Sequence, residues 1–385
     1  MTSARGAAAR PLRIGLAFLR LDPPHPGGPA RYFTELAAAL LRVDRQSRYI
    51  LYLGRQSRGL LDRLPTTPRV RIRFLPISPT RWERGIHQVW PRLIAQDRLD
   101  VLHATTNLVP LHASCPVVVT IHDTVVLHPG ASTRRYRQGA ALLRLAVRAA
   151  DALVTPSKHA RRDLIAQLHV PPSSVTAIHH APAAPFRPLP VGEAAHLVER
   201  RFGIRPPFFL MVAAPHPTKN HDVLVHALRL LIHRHGKPVT LVLAGPRGRG
   251  LPEPRALPAP SRLCHVGEVT DDELRLLYAA ATAVVVPSRW EGFGLAALEG
   301  MACGAPVVAS RCTSLPEVVG SAGLLVAPGS VYALARALER LLSDPRLCQS
   351  LRRRGLARAR RFTWEATARR TLQLYRRIVA HPRRP

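Results

Sequence analysis

Short apolar runs alternate with amphipathic stretches along most of the chain. "LRIGLAF" (Leu12 to Phe18) is apolar and short, as a buried strand is. After the loop "PPHPGGPA", Phe33, Leu36, Ala37, Leu40 and Leu41 recur at the spacing of one helix face. Further strands are predicted at "RYILYL", "RVRIRFL", "VVVTI" and "ALVTP". "HHAPAAPFRPLPVG" (His179 to Gly192) is proline-rich, has no periodicity and reads as a linker. The alternation then restarts, with strands at "FFLMVA", "VTLVLAG", "AVVVP" and "PVVAS". Between them lie helices at "HDVLVHALRLLIHRHG", "DDELRLLYAAA" and "GLAALEGMACG", the last ended by Gly304. From Val331 the chain is predicted helical, and its amphipathic last segment, Trp364 to Ala380, needs a surface to dock on. Strands alternating with helices predict parallel sheets covered on both sides. The expectation is two doubly wound α/β domains, residues 1–185 and 186–363, with helix 364–380 packing back on the first.

Composition changes this picture little. The 385 residues suit two domains, each with its own core. The formal net charge of +32 invites a nucleic-acid reading. Only Lys158, Lys219 and Lys237 are lysines, so 56 − 3 = 53 basic residues are arginine, spread along the whole chain. Aromatic content is 5%, and no recognition module or aromatic–basic interleaving is present. A diffusely basic surface is therefore favoured over a nucleic-acid site. Such a surface attracts phosphates and acidic lipid headgroups.

Cys115, Cys264, Cys303, Cys312 and Cys348 are odd in number and include no C-x-x-C pair. They read as free thiols of a reducing cytoplasm. No H-E-x-x-H occurs, and His233 and His235 read as a helix end rather than zinc ligands. Arg13 and Arg20 interrupt the apolar stretch near the N-terminus, which reads as a tail and a first strand rather than a signal peptide. No uncharged run has the length of a membrane span. The expected location is the cytoplasm, with peripheral contact at the inner face of an anionic membrane.

The stretch that carries chemistry is "RWEGFGLAALEGMACGAPVV", residues 289–308. Strand, glycine loop, helix, strand is one unit of an open α/β sheet, and ligands bind at the carboxyl ends of such strands. Gly292 and Gly294 let a ligand approach the backbone, and the N–H groups opening the next helix suit a diphosphate. Glu291 and Glu299 lie eight residues apart. A mostly helical path separates them by about 12 Å, too far for one metal ion or a shared proton. That spacing suits two hydroxyl-bearing groups at opposite ends of an extended ligand, such as the two diols of a nucleotide sugar.

"PSRWEGFGLAALEGMACGAPVVAS" resembles the donor-site signature, E-x7-E, of retaining GT-B glycosyltransferases of the family 4 type. The likeness runs through nearly the whole chain and is stronger in the second half. It implies the GT-B fold, two Rossmann-like domains facing a central cleft. It implies that Glu291 holds the hydroxyls of the transferred sugar and Glu299 the ribose. The backbone of Phe293, Gly294 and Leu295 is implied near sugar and phosphates. In "PHPTKNHDVL" it assigns Lys219 to the leaving diphosphate; Thr218 stands where the family usually has arginine. The plain alternative for Lys219 is a solvated surface lysine.

In "HPGGPARYFTELAAAL" the family often has G-G-x-G-R-Y. Gly27, Gly28, Arg31 and Tyr32 are kept, while Ala30 replaces the last glycine. This loop is implied near the diphosphate; an ordinary turn with Pro29 opening a helix is the alternative. "VVVTIHDTVVLHPG" matches the family's strand followed by His-Asp, which places His122 beside the transferred sugar. Ser157, Arg161 and Arg162 of "TPSKHARRDLI" read as capping and helix-face residues, outside the donor site.

The resemblance implies transfer with retained configuration and without metal or other cofactor, and no D-x-D occurs in the chain. Positive charge at the leaving group must then come from Lys219, helix N-termini and arginines. The implied partners are a GDP- or UDP-hexose donor and a saccharide or lipid-linked acceptor. GDP-mannose and cell-surface polysaccharide or lipopolysaccharide synthesis are what bacterial relatives of this kind suggest. The rival readings are an epimerase or hydrolase on the same fold, a weak or inactive nucleotide-sugar-binding protein, and a basic nucleic-acid-binding protein.

Overall fold

The computed structural model describes residues 10–20, 27–76, 82–128, 133–236, 238–247 and 257–381. The expected N-terminal tail and the prolines of "PPHP" lie outside these residues. The chain divides into two units. The first takes Met1–Pro156, Arg161–Ile178 and Trp364–Pro385, the second Ser157–Ala160 and His179–Thr363.

The first unit is built on seven parallel strands. They are β1 (Arg13–Phe18), β2 (Arg48–Gly54), β3 (Val70–Leu75), β4 (Val101–Ala104), β5 (Val117–Thr120), β6 (Ala152–Thr155) and β7 (Val175–Ala177). Their order is β3-β2-β1-β4-β5-β6-β7. Helices α1 (Gly28–Val43), α2 (Trp82–Arg84), α3 (Trp90–Gln96), α4 (Arg134–Ala149) and α5 (Lys158–Leu168) connect them. A π turn, Gly85–Val89, joins α2 to α3. The strands are largely apolar and buried on both faces, as parallel sheets require. Trp90, Ile94, Leu102, Val119, Ile121 and Leu143 are central to the core on one face.

The second unit holds β8 (Phe208–Val212), β9 (Thr240–Ala244), β10 (Arg262–Gly267), β11 (Ala283–Val286), β12 (Val307–Ser310) and β13 (Leu324–Val326). All pairs are parallel, in the order β10-β9-β8-β11-β12-β13. Its helices are α6 (Val191–Phe202), α7 (His221–His235), α8 (Asp271–Ala280), α9 (Leu295–Ala302), α10 (Leu315–Val319), α11 (Val331–Ser343) and α12 (Pro345–Ala359). Thr270 and Glu273 form a reciprocal capping box at the start of α8. Leu224, Leu228, Leu241, Val285, Leu334 and Leu338 pack together on one side of the sheet.

The last helix, α13 (Trp364–Ala380), belongs to the first unit and packs on α1. This explains why α1 buries more than one stripe. Phe33, Leu36, Ala37, Leu40 and Leu41 are buried as the spacing predicts, and Ala30, Tyr32 and Ala39 are buried as well. Each sheet reverses its strand order once, between β1 and β4 and between β8 and β11. Loops leaving the carboxyl ends of the strands beside a reversal form the ligand crevice of such sheets.

Candidate functional site

In the second unit, the loops after β8 and β11 meet at the reversal. Lys219 follows β8 and Glu291 follows β11, and Lys219 Nζ lies 2.7 Å from Glu291 Oε1. Two backbone links hold the loops in register. The Arg289 N–H donates to Thr218 O at 2.7 Å, and Asn220 Nδ2 donates to Pro287 O at 3.1 Å. Asn220 does so from a left-handed conformation at φ 61°, which asparagine tolerates better than most residues.

Glu291 is held at Oε1, at its N–H and at its carbonyl. Ser288 Oγ donates to its Oε1 at 2.8 Å, and its own N–H donates to Thr313 Oγ1 at 3.2 Å. Ser314 Oγ donates to its carbonyl at 2.9 Å. The carboxylate is 14% exposed and the Lys219 side chain 27%. The pair is thus partly desolvated while still reachable by a ligand. An ammonium that releases this carboxylate can donate to a phosphate oxygen, and the carboxylate can then accept from sugar hydroxyls.

Thr218 occupies the position where the family usually has arginine. Its Oγ1 lies 2.7 Å from His216 Nδ1, and its N–H donates to the same nitrogen. The threonine stiffens the loop and brings no charge.

The glycine loop is fixed from three sides. Gly294 takes φ +100°, which strains any other residue, and a Cβ there would come within 2.8 Å of Leu315 Cδ2 and push that side chain aside. Ser157 Oγ donates to Gly292 O at 2.8 Å and accepts from the Ala160 N–H. Phe293 is buried, with the rings of His179, His180 and Phe362 between 5.2 and 6.0 Å from its own. Its side chain is therefore a packing anchor, while the backbone from Gly294 to Leu295 opens α9. Glu317 on α10 accepts from the N–H groups of Lys158 and His159 and lies 2.6 Å from His179 Nε2. Burial opposes its charge, but these bonds hold its carboxyl below the usual carboxylate range.

Glu299 sits inside α9, 4% exposed, where its Oε2 accepts from Tyr278 OH at 3.2 Å. The helix begins only at Leu295, so the path from Glu291 to Glu299 is half loop and half helix.

The first unit gathers a separate set around its own reversal. Gly27 caps α1 from an extended conformation without a side-chain bond, and Gly28 opens the helix with Pro29 in its first turn. His122 follows β5, and its Nε2 lies 2.9 Å from Thr105 O. A carbonyl only accepts, so Nε2 carries the proton. Burial lowers the His122 pKa to about 4; the bond to Thr105 opposes this and Arg20 adds to it. The imidazole is therefore neutral at pH 7, with Nδ1 as its acceptor atom.

The structure thus joins Lys219 to Glu291, places Glu299 in the helix behind the same glycine loop, and sets His122 near Tyr32 in the other unit. Sequence reasoning missed Ser157 as a fastener of that loop, and it missed His179, Thr313, Ser314 and Glu317. The serine was read only as a cap, which it also is. Arg161, read as a helix-face residue, turns back to bond the carbonyls of Val175 and Pro172. Among the described residues, no helix is long and apolar enough to cross a membrane.

Comparison with known proteins agrees with this layout. Residues 26–181 match the family model described as Glycosyltransferase Family 4, and residues 206–344 the model described as Glycosyl transferases group 1. The O-antigen chain mannosyltransferase B of Escherichia coli is 30% identical over 297 residues, 73% of this chain and 75% of that protein. The serotype-specific mannosyltransferase WbdA of Escherichia coli is 31% identical over 60% of this chain, which spans 29% of WbdA's length. Anabaena Alr3699/HepE, solved with UDP and glucose, superposes with a TM-score of 0.73 at 20% identity. That likeness covers 94% of this chain and 99% of the other and identifies the fold as GT-B. The chain belongs to glycosyltransferase family 4 and is a glycosyltransferase.

Proposed function

We propose that the protein moves a hexose, with mannose from GDP-mannose as the first choice, onto a saccharide or lipid-linked saccharide of the cell surface. The observation that carries the donor site is the Lys219–Glu291 pair at the β8/β11 reversal. The mannose assignment rests on the names of the two Escherichia coli relatives. A UDP-hexose is the alternative donor, supported by the UDP bound to Alr3699/HepE.

In this reading Glu291 binds the hydroxyls of the transferred sugar, and Lys219 turns to the leaving diphosphate. The backbone of Phe293, Gly294 and Leu295 lies along sugar and phosphates, and Glu299 accepts from the ribose. To the first unit the reading assigns His122, as a neutral partner of a sugar hydroxyl, and the Gly27–Gly28 turn, as an anion site at the start of α1. The bond from the anomeric carbon to the diphosphate breaks as the acceptor oxygen bonds the same face. The acceptor proton passes to the departing phosphate oxygen. Configuration is retained, and no metal is required because Lys219 and backbone N–H groups carry the charge.

Contact with an anionic membrane is assigned to α4. Arg137, Ala141, Arg144, Leu145 and Arg148 share its exposed face, and the helix has no acidic residue. A weak or inactive nucleotide-sugar-binding protein is the second reading. It is favoured by the neutral Thr218 and by a Lys219 whose charge is already paired.

One assay separates the two readings. Purified protein is given GDP-mannose or UDP-glucose and a lipid-linked saccharide, with chelator present, and the product's anomeric signals are read by NMR. We expect a retained linkage from the wild type and a loss of at least about 100-fold in turnover for Glu291→Gln. Equal turnover in wild type and variant would overturn the assignment, and binding without turnover in the wild type would establish the second reading.

A further inference from the structure

Four buried polar side chains of the first unit form one hydrogen-bonded chain that the site described above does not use. They come from four elements: Tyr375 on α13, His103 on β4, Thr120 on β5 and Tyr32 on α1, all fully buried. Tyr375 OH lies 2.5 Å from His103 Nδ1, and His103 Nε2 lies 2.7 Å from Thr120 Oγ1. Tyr32 OH lies 3.2 Å from the same Thr120 Oγ1. Burial drives the His103 pKa down to about 3, so its ring is neutral, with one nitrogen donating and the other accepting. The chain is therefore directional, and His103 grips both neighbours whichever tautomer it takes.

Apolar side chains would fill this space without the need to satisfy polar atoms. What the chain adds is orientation, and it ends beside His122. The Tyr32 ring meets the His122 ring edge-on, with centroids 5.2 Å apart. Tyr32 also meets Trp364, at the start of α13, with ring centroids 6.0 Å apart. His122 is also held by the carbonyl of Thr105, whose own N–H and Oγ1 both donate to Ala17 O. The imidazole thus sits between a fixed acceptor and an aromatic ring whose position the buried chain sets.

We propose that Tyr375 and His103 are positioning residues for His122. Through Thr120 and Tyr32, the C-terminal helix fixes the orientation of an imidazole ring more than 200 residues upstream, whose tautomer the Thr105 carbonyl sets. The functional consequence rests on the reading of His122 as a group that touches the transferred sugar.

The test is Tyr375→Phe in the full chain, which removes one hydroxyl and keeps the ring. Two readouts are taken, the ring nitrogen signals of 15N-histidine-labelled protein and the kinetic constants. In the wild type we expect His122 as the Nε2–H tautomer at pH 7. In Tyr375→Phe its ring signals shift as the Tyr32 ring moves, while the Thr105 carbonyl keeps the proton on Nε2. Turnover falls about tenfold, while the dissociation constant for a nucleoside diphosphate stays within about twofold. Unmoved His122 signals in the folded variant would overturn the proposal, and so would equal losses in turnover and nucleotide affinity. Should Tyr375→Phe fail to fold, Thr120→Val breaks the same chain one link closer to Tyr32 and is read in the same way. Absence of turnover in the wild type would count against the reading of the site and leave the ring signals to decide the positioning claim.

Discussion

At the residue scale, two kinds of polar group do different work. Lys219 and Glu291 are partly exposed partners, so a ligand can exchange one for the other. Removing either leaves its partner with an uncompensated charge. His103 and His122 are neutral because burial lowers their pKa to about 3 and about 4. An unfolded chain binds a proton at each near pH 6.5. Below about pH 6.5 the unfolded state therefore holds more protons, and stability falls as the pH drops from there towards about 3. Above pH 6.5 neither residue contributes any slope. Melting temperatures from pH 7 to pH 4 are expected to fall less steeply in His103→Gln than in the wild type, and identical slopes would refute the buried-histidine account. Glu291, Glu299 and Lys219 were singled out in the sequence by the spacing of the two acids and by the family resemblance of their segments. Ser157 and His179 were not, because their partners, Gly292 and Glu317, lie more than 130 residues away.

At the element scale, most apolar strands declared themselves, as did α1, α7, α8, α9 and the helices from Val331 onward, whereas α2, α3, α4, α6 and α10 went unassigned. The strands β1, β5, β6, β8, β11 and β12 are buried throughout or nearly so, and α13 spans Trp364–Ala380 as its periodicity predicts. Strands β4, β7, β10 and β13 went unassigned. β7 and β13 have three residues each, β4 carries a histidine, and β10 is a partly exposed edge strand with an arginine at its start. Their assignment comes from pairing with a neighbour, which a one-dimensional pattern does not contain. Helix α4 buries Leu143, Ala146 and Ala149 in the core and turns arginines outward. Its arginine-bearing outer face is expected to bind vesicles containing anionic lipid and to release them as salt rises. Replacing Arg144 and Arg148 by glutamate should abolish sedimentation with such vesicles, and unchanged sedimentation would remove α4 from that role.

At the scale of the whole molecule, two units repeat one design. Each is a parallel sheet with a single reversal of strand order, and each carries its candidate residues on loops after the strands at or next to that reversal. The +32 charge neither builds the sheets nor specifies a nucleic-acid partner. It sets a field that favours anionic ligands and surfaces. The central claim is that the loops around Glu291 and Glu299 hold a nucleoside diphosphate sugar. The most direct measurement is calorimetric titration of wild type and Glu299→Gln with GDP, UDP and ADP, without added metal. We predict that one nucleotide binds selectively and that Glu299→Gln weakens it at least about tenfold, the loss of a charge-assisted hydrogen bond to the ribose. Equal affinity of wild type and variant for that nucleotide would contradict the account.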